Sequence, residues 1–544
     1  MLTGADLIVQ GLKDAGVGLA FGLPGVHNLA LWRTIGQSPM RLVGVRHEQA
    51  AAYAADGYAR AGGRLGVALT TTGPGAANTL GAVGEAWASR SPILVIATDI
   101  STAVRRPGVW RGALHEATDQ AALFEPVTKG ALRVRDAATL RAATSEAARL
   151  ALAAPQRPVY LEIPTDLLAA AVAEPAGVPA GPPPPPPLED ERLERAAALI
   201  EPSRRPLIWA GGGAVASGAG PALAALAERL VAPVIATYSG SGLLAPGHPC
   251  LVEAPPHVPE VGALWDEADL VLAVGSDFDG MMTQGWRMPG PPRLVTVNVD
   301  AEDASKAYLP DLVLEADAAR TLPRLAERLA PRGGLDALAR RLSRLNAGVR
   351  AGLAQSDPEA AEFLSVIESS LPPEAIVACD MCIPGYWLGG FHRPPAPRKL
   401  LYPLGWGTLG CAFPQALGAA LADTGPVVSV SGDGGFLYAA GELATAVQER
   451  IPLTAVVADD GGYGMLRFDQ EQRGDPHLGV DLATPDFTAL AGAFGVRAFA
   501  ASDLSGDFGA ALRRQLALDE PSLLVAPAGL RPPPTVSPRW YRGD

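Results

Sequence analysis

Two acidic, glycine-rich turns lie close together in this 544-residue chain, and each follows an apolar run. Val427 to Val430 leads into Gly432-Asp433-Gly434-Gly435, and Leu453 to Ala458 leads into Asp459-Asp460-Gly461-Gly462. Residues 435 to 458 separate the turns, the length of one β-α-β crossover, so both should emerge at the same carboxyl edge of a parallel sheet. Carboxylates at such an edge suit a hard divalent cation such as Mg²⁺. Glycines leave backbone N–H groups free to face phosphate oxygens. The pattern predicts a metal-assisted phosphate site; for Gly-Asp-Gly alone, an ordinary crossover with glycine turns is the competing reading.

The stretch resembles the thiamine-diphosphate signature, a Gly-Asp-Gly followed one crossover later by Asn-Asn. The resemblance implies that Asp433, Asp460 and the carbonyl of Gly462 hold Mg²⁺ against the diphosphate. It places Gly432, Gly434, Gly435, Tyr463, Gly464 and Met465 around the same group. One departure stands out: Asp459-Asp460 occupies the place of Asn-Asn, or sometimes Asn-Asp. The added charge beside an anionic diphosphate implies a cofactor affinity more dependent on metal than in relatives.

The likeness covers nearly the whole chain. Arg46-His47-Glu48-Gln49-Ala50-Ala51, followed by Ala55-Asp56-Gly57-Tyr58-Ala59-Arg60, is similar to the family's RHEQAA turn. It implies that Glu48 is the carboxylic acid against the aminopyrimidine ring, which lets the coenzyme's own amino group act as base. The bland alternative is a solvated Glu favoured by a helix N-terminus. Gly405-Trp406-Gly407-Thr408-Leu409-Gly410 looks like the glycine turn before a long helix; by resemblance the Gly407 carbonyl takes the 4′-amino hydrogen and Leu409 wedges between the two rings. Phe21-Gly22-Leu23-Pro24-Gly25-Val26-His27-Asn28 matches a loop whose residue after Pro-Gly, here Val26, faces the substrate. Thr71-Thr72-Gly73-Pro74-Gly75-Ala76-Ala77-Asn78 resembles the turn near the thiazolium, and assigns Thr72, Gly73 and Asn78 to the cofactor. Gly112-Ala113-Leu114-His115-Glu116 and Gln120 fall where acetohydroxyacid synthases place Phe-Gln-Glu. His115 and His27 are therefore the candidate acid–base groups beside Glu48. Val26, His27, Thr71, Gln120, Leu466 and Asp469 are the expected substrate pocket. A lone His is more often structural, so His47 is read as packing, and His248, His257, His392 and His477 have no assignment.

Acetohydroxyacid (acetolactate) synthase is the nearest overall likeness, with two departures. Asp277 stands where that enzyme places an Arg for the incoming 2-oxo acid, and Asp469 stands at its selectivity Trp. An acid in place of a carboxylate-binding cation should repel a second anionic substrate. A decarboxylase of a 2-oxo acid, or a carboligase passing its acyl-anion equivalent to a neutral aldehyde, fits better; Asp469 would tolerate a basic substrate. The Val26-His27 loop, the Leu114-His115-Glu116 segment and the Gly405 turn are similar to guanidino-2-oxo acid decarboxylases. The alternatives are a true acetolactate synthase catalytic subunit, a non-catalytic relative, and a nicotinamide-dependent oxidoreductase using Ala210-Gly211-Gly212-Gly213-Ala214. That turn, a loose dinucleotide pattern, is also where the likeness admits FAD, although a vacant or nucleotide-bound domain is preferred.

Three α/β blocks must position these groups. The expected fold is three doubly wound parallel-sheet domains: an aminopyrimidine-binding domain over 1–175, a central Rossmann-like domain over 191–340 and a diphosphate-binding domain over 358–530. A Pro-rich linker (176–190), a helical linker (341–357) and a tail (531–544) complete the chain. In such enzymes the cofactor spans the first domain of one subunit and the third of its partner, so a homodimer is the minimum unit implied and a tetramer is common. Net charge of −13, without a Lys/Arg block, argues against nucleic-acid or anionic-membrane partners. The amphipathic, acid-containing N-terminus is no signal peptide, and no apolar span reaches about 18 residues, so a cytoplasmic protein is expected. Cys379 and Cys382 form one CxxC without a second pair, which reads as two unpaired thiols rather than zinc ligands.

Overall fold

The computed structural model describes residues 1–106, 108–173 and 188–534. The expected Pro-rich linker falls mostly, and the tail beyond residue 534 wholly, outside the described residues. The aliphatic runs form strands because a parallel sheet covered by helices buries both faces of each strand. Ile93–Asp99, for example, is buried at every position.

Three six-stranded parallel sheets result. The first orders its strands Arg41–Gly44, Leu19–Gly22, Gly66–Thr70, Ile93–Asp99, Val159–Pro164 and Ala131–Arg133. The third runs Leu400–Leu401, Ile376–Cys379, Val427–Gly432, Thr454–Asp459, Ser522–Pro527 and Arg497–Ala500. Numbered along the chain, both follow the order 2-1-3-4-6-5. The two domains thus share one topology, although no sequence repeat reveals it. The central sheet, with Pro206–Ala210 and Leu270–Val274 in its middle, follows 3-2-1-4-5-6, the dinucleotide-binding order. A short antiparallel pair, Leu2–Thr3 with Ala171–Val172, clasps the beginning of the first domain to its end.

The expected helical linker is part of a longer helix, Leu335–Ser356, and it is no free connector. Its Leu342, Val349 and Leu353 are buried in one core with Trp209 and Trp265 of the central domain and Val377 and Val428 of the third. The first and third domains also share a core, built from Tyr53, Ala54, Ala55, Phe413 and Ala416 among others.

Helices Glu48–Gly62 and Ala412–Ala420 cross in that shared core at two glycines. A Cβ on Gly57 would fall 1.9 Å from the Gln415 carbonyl oxygen, and one on Gly418 would fall 1.8 Å from that of Ala54. Buried Gln415 donates to buried Asp56 across the crossing at 2.7 Å. The crossing joins the first domain to the third: Glu48 begins one helix, and the Gly405–Gly410 turn precedes the other. Gly418→Ala should therefore lower unfolding stability by about 1–3 kcal/mol, the usual cost of overpacking. Urea unfolding measures it, and an unchanged midpoint would refute the close crossing.

Candidate active site

In the third sheet the chain order reverses between Ile376–Cys379 and Val427–Gly432, which pair with Cys379 opposite Val430. Ligands of open α/β sheets bind in the crevice at such a reversal. The adjoining strand Thr454–Asp459 pairs in register, Gly432 opposite Ala458, so both acidic turns emerge at one sheet edge as their spacing predicts.

A cavity of about 250 Å³ opens there. The glycine turn contributes Gly407 and Leu409, and the first acidic turn Gly432 and Gly435. The second acidic turn contributes Asp460, Gly462, Tyr463, Gly464 and Met465, followed by Leu466. Asp469 lies half-buried on the same helix, Gly464–Arg473, outside this lining. Two glycines are dictated by close approach: a Cβ on Gly464 would fall 2.0 Å from Asp460 Oδ2, and one on Gly462 would fall 2.0 Å from the Val480 carbonyl oxygen.

Asp433 begins the helix Asp433–Leu437 and is fully buried beneath the cavity floor. Its Oδ1 accepts the Gly434 N–H at 2.8 Å, while Oδ2 has no partner. Burial first, then the charges of Asp460 and Asp459, push its pKa up to about 7. Burial also raises the Asp460 pKa, against the pull of Arg467 at 3.9 Å. Three carboxylates thus crowd one sheet edge with a single guanidinium nearby, and an orphaned buried oxygen faces the group they would hold. Among the described residues no three His, Cys, Asp or Glu side chains form a metal-binding group by themselves. A hard cation such as Mg²⁺ usually takes one or two carboxylates and fills its remaining positions with phosphate oxygens and water.

The expected groups of the first domain gather on a different face. Glu48 is the first residue of its helix, and the N-cap is His47, whose ring accepts the Gln49 N–H. Glu48 is buried, and Asn78 Nδ2 donates to its Oε2 at 3.0 Å. His27 and His115 pack edge to face with ring centroids 5.3 Å apart. Their setting is tight: His115 adopts the left-handed region (φ 65°), and a Cβ on Gly73 would fall 2.4 Å from the His115 carbonyl oxygen. A non-glycine residue held there stores strain, as functional sites often do. Burial and then the neighbouring His115 lower the His27 pKa. Val26 is 61% exposed beside the pair, whereas Thr71 is buried between Gly25 and Gly75. Gln120, expected in the substrate pocket, sits instead beneath the turn at 1% exposure. Its Oε1 accepts the Gly73 N–H at 2.5 Å, and its Nε2 donates to the Thr98 carbonyl at 2.9 Å. Both ends of the amide are engaged, so Gln120 pins the turn.

The 250 Å³ cavity has no lining residue from the first domain. Among the described residues of one chain, therefore, the acidic turns and the Glu48–His27–His115 face do not share this cavity. Two buried acids went unread in the sequence. Asp380, inside the CxxC, accepts the Gly410 N–H with both oxygens at 3.0 and 2.8 Å, and burial raises its pKa to about 6. Glu85 accepts backbone N–H groups of the glycine turn from the first domain. The four cysteines are unpaired thiols, and Cys382 lines the cavity.

The central glycine turn does not fit a dinucleotide pyrophosphate. The Gly213 N–H donates to the Gly275 carbonyl at 2.8 Å and the Gly211 N–H to that of Val274 at 2.9 Å. A Cβ on Gly211 would fall 2.4 Å from the Gly275 carbonyl oxygen. These glycines let two turns close on one another across the crevice. Asp277 also departs from expectation. It does not present an unpaired negative charge, because Arg90 (2.9 Å) and Lys306 (2.7 Å) engage it. Burial alone would raise its pKa, but these cations hold it at about 2.

Family comparison agrees with this architecture. Residues 2–123 match the thiamine pyrophosphate enzyme N-terminal TPP binding domain, residues 193–325 the central domain and residues 382–526 the C-terminal TPP binding domain. A probable 2-ketoarginine decarboxylase of Pseudomonas aeruginosa is 38% identical over 502 residues, covering 91% of this chain and 88% of that protein. A probable acetolactate synthase large subunit of Methanocaldococcus jannaschii is 30% identical over 525 residues (91% and 87% covered). An acetolactate synthase of Bacillus subtilis is 29% identical over 514 residues (90% and 87% covered). The chain belongs to the thiamine pyrophosphate enzyme family. It is an enzyme of the decarboxylase and acetolactate synthase type, as the sequence resemblance implies. Among the described residues no helix is long and apolar enough to cross a membrane.

If Asp433 is a metal ligand, Asp433→Ala should weaken Mg²⁺-dependent binding of thiamine diphosphate at least as much as loss of an outer-shell partner does, roughly 10–100-fold. Titration calorimetry with and without Mg²⁺ measures this, and unaltered affinity would remove Asp433 from the metal site.

Proposed function

We propose that the protein decarboxylates a 2-oxo acid with a basic, guanidinium-type side chain and releases the aldehyde. Thiamine diphosphate and Mg²⁺ would sit between the third-domain cavity of one protomer and the first-domain face of its partner, in a homodimer or a tetramer of such dimers. The observation that carries this reading is the division of the site: phosphate- and metal-type groups line one cavity, and the acid–base groups lie elsewhere.

When bound, thiamine diphosphate supplies a nucleophilic carbon that takes up the electron pair left as CO₂ departs. Asp433, Asp460 and the Gly462 carbonyl would hold its metal-bound diphosphate, and Gly407 and Leu409 would bear on its ring end. Glu48, fixed by Asn78, would share a proton with the aminopyrimidine nitrogen of the partner's coenzyme. One tautomer of His27 completes a chain of hydroxyls. Thr72 Oγ1 donates to Thr98 Oγ1 at 3.0 Å, so it accepts from His27 Nδ1–H at 2.8 Å. Nε2 is then left to take or return a proton, and with His115 it would supply the proton that completes the aldehyde.

Two observations favour a basic substrate. The cations of the neighbouring segments are already paired, Arg90 with Asp277 and Asp303, and Arg467 with Asp481. Asp469, by contrast, has no cationic partner among the described residues and lies one helical turn beyond cavity-lining Leu466. The identity shared with the 2-ketoarginine decarboxylase supports the same choice.

Glu48→Gln should reduce kcat roughly 10²–10⁴-fold while thiamine diphosphate still binds, the size of a general acid–base contribution; a variant keeping a tenth of parental activity would contradict the role. In a panel of 2-oxo acids, kcat/KM for a 5-guanidino-2-oxo acid should exceed that of its neutral isostere roughly tenfold or more, since a charge-assisted hydrogen bond contributes about 1.5–3 kcal/mol. Equal values would discard the basic substrate, and acetolactate formed from pyruvate alone would move the enzyme to the synthase reading.

A further inference from the structure

We infer that Glu85 is a positioning residue for the coenzyme: a buried carboxylate of the first domain that sets the Gly405–Gly410 turn of the third domain, and so places Gly407 and Leu409. The inference rests on the proposed function.

Glu85 lies in the helix Leu80–Ala88 at 0% exposure and has no ion-pair partner among the described residues. Its bonds are instead to the turn and to its own helix end. Oε1 accepts the Leu404 N–H at 2.7 Å and the Ser89 hydroxyl at 3.0 Å, and Oε2 accepts the Gly407 N–H at 3.1 Å. The turn makes this possible by alternating handedness: Gly405, Gly407 and Gly410 have φ of 57°, 67° and 79°. Backbone of this kind turns successive N–H groups into one concavity, a nest that takes an anion. Glu85 is the anion of that nest.

A second feature of the same helix is built for the same turn. A Cβ on Gly84 would fall 2.4 Å from Trp406 Cε2, so the Trp406 indole lies directly on the helix backbone beside Glu85. At the far end, Asp380 takes the Gly410 N–H with both oxygens. The turn is thus gripped by one carboxylate from each domain. Both its cavity-lining members, Gly407 and Leu409, lie between the grips. A buried carboxylate costs several kcal/mol in desolvation, and burial raises the Glu85 pKa to about 7, partly offset by the Leu404 N–H and Arg60. An apolar residue there would leave the Leu404 and Gly407 N–H groups without this acceptor. The contact is explained if the turn must hold one height and one tilt.

A merely structural clip and a positioning residue differ in what they change. Glu85→Ala and the near-isosteric Glu85→Gln should be compared with the parent and with Gly418→Ala, which weakens the same domain contact without touching the turn. Each would be saturated with thiamine diphosphate and Mg²⁺. The readouts are hydrogen–deuterium exchange at C2 of the bound coenzyme, kcat and KM separately, coenzyme affinity and thermal midpoint. A misplacement near 1 Å costs roughly 10²-fold. Glu85→Ala should therefore slow both C2 exchange and kcat by that order, with KM and coenzyme affinity changed less than about threefold, since the diphosphate grip is elsewhere. Glu85→Gln, which keeps one acceptor but puts an amide N–H against a donor, should slow exchange in the same direction and remains informative if the Ala variant does not fold. Gly418→Ala should lower the midpoint and leave exchange at the parental rate. Parental exchange and kcat in a folded Glu85 variant overturn the inference. A parent that neither binds the coenzyme nor exchanges its C2 hydrogen overturns the proposed function, and this inference with it.

Discussion

One buried oxygen, Asp433 Oδ2, is the constraint around which the third domain is arranged. It has no hydrogen-bond partner, and the carboxylates of Asp459 and Asp460 lie close by. Like charges so placed repel, and an unpaired buried carboxylate oxygen is costly. No packing of aliphatic strands alone selects such an arrangement. The three acids meet at the carboxyl edge where the strand order of this sheet reverses. The glycines follow from this: Gly462 and Gly464 are the only residues that fit where the Val480 carbonyl and the Asp460 carboxylate come within 2.0 Å of a would-be Cβ.

The chain ties the first domain to the third through backbone. The helix that begins at Glu48 crosses the helix that follows the Gly405 turn at Gly57 and Gly418. The helix carrying Glu85 reaches that same turn directly. The first domain is therefore bound to the third at two places. Aromatic and aliphatic residues join the first domain to the third in one shared core, and the central domain to the third in another.

Much of this was legible because the informative signals are local. A β-branched run ending in Asp and Gly predicts a strand followed by a ligand-facing turn, and Val427–Gly432 and Thr454–Asp459 are such strands. The three-domain α/β organisation was readable from the alternation of apolar runs and Ala-rich segments. Signals failed where the deciding partner is remote. Asp277 looked like a repulsive acid because its neighbour in space, Arg90, is 187 residues away. Glu85 went unread because the N–H groups it holds lie 319 and 322 residues later in the chain. Gln120 was assigned to the pocket by its place in a loop, whereas Thr98 and Gly73 consume its amide. Short or edge strands such as Leu400–Leu401 and Arg497–Ala500 carry too few residues, or too much exposure, to show a period.

The central domain teaches the complementary lesson. Its strand order is that of dinucleotide-binding sheets, and its first turn carries three successive glycines, yet glycine has two uses at such a crevice. It can leave N–H groups free for a phosphate, or it can let another backbone approach. Here Gly211 and Gly213 spend their N–H groups on Val274 and Gly275, and both close on the Gly275 turn. At the third domain's crevice Gly432 and Gly435 instead line an open cavity, beside a buried acid whose Oδ2 has no partner. Two sheets of related design, each with glycines at the reversal of strand order, thus differ in what the glycines admit: the opposing backbone in one, open space in the other.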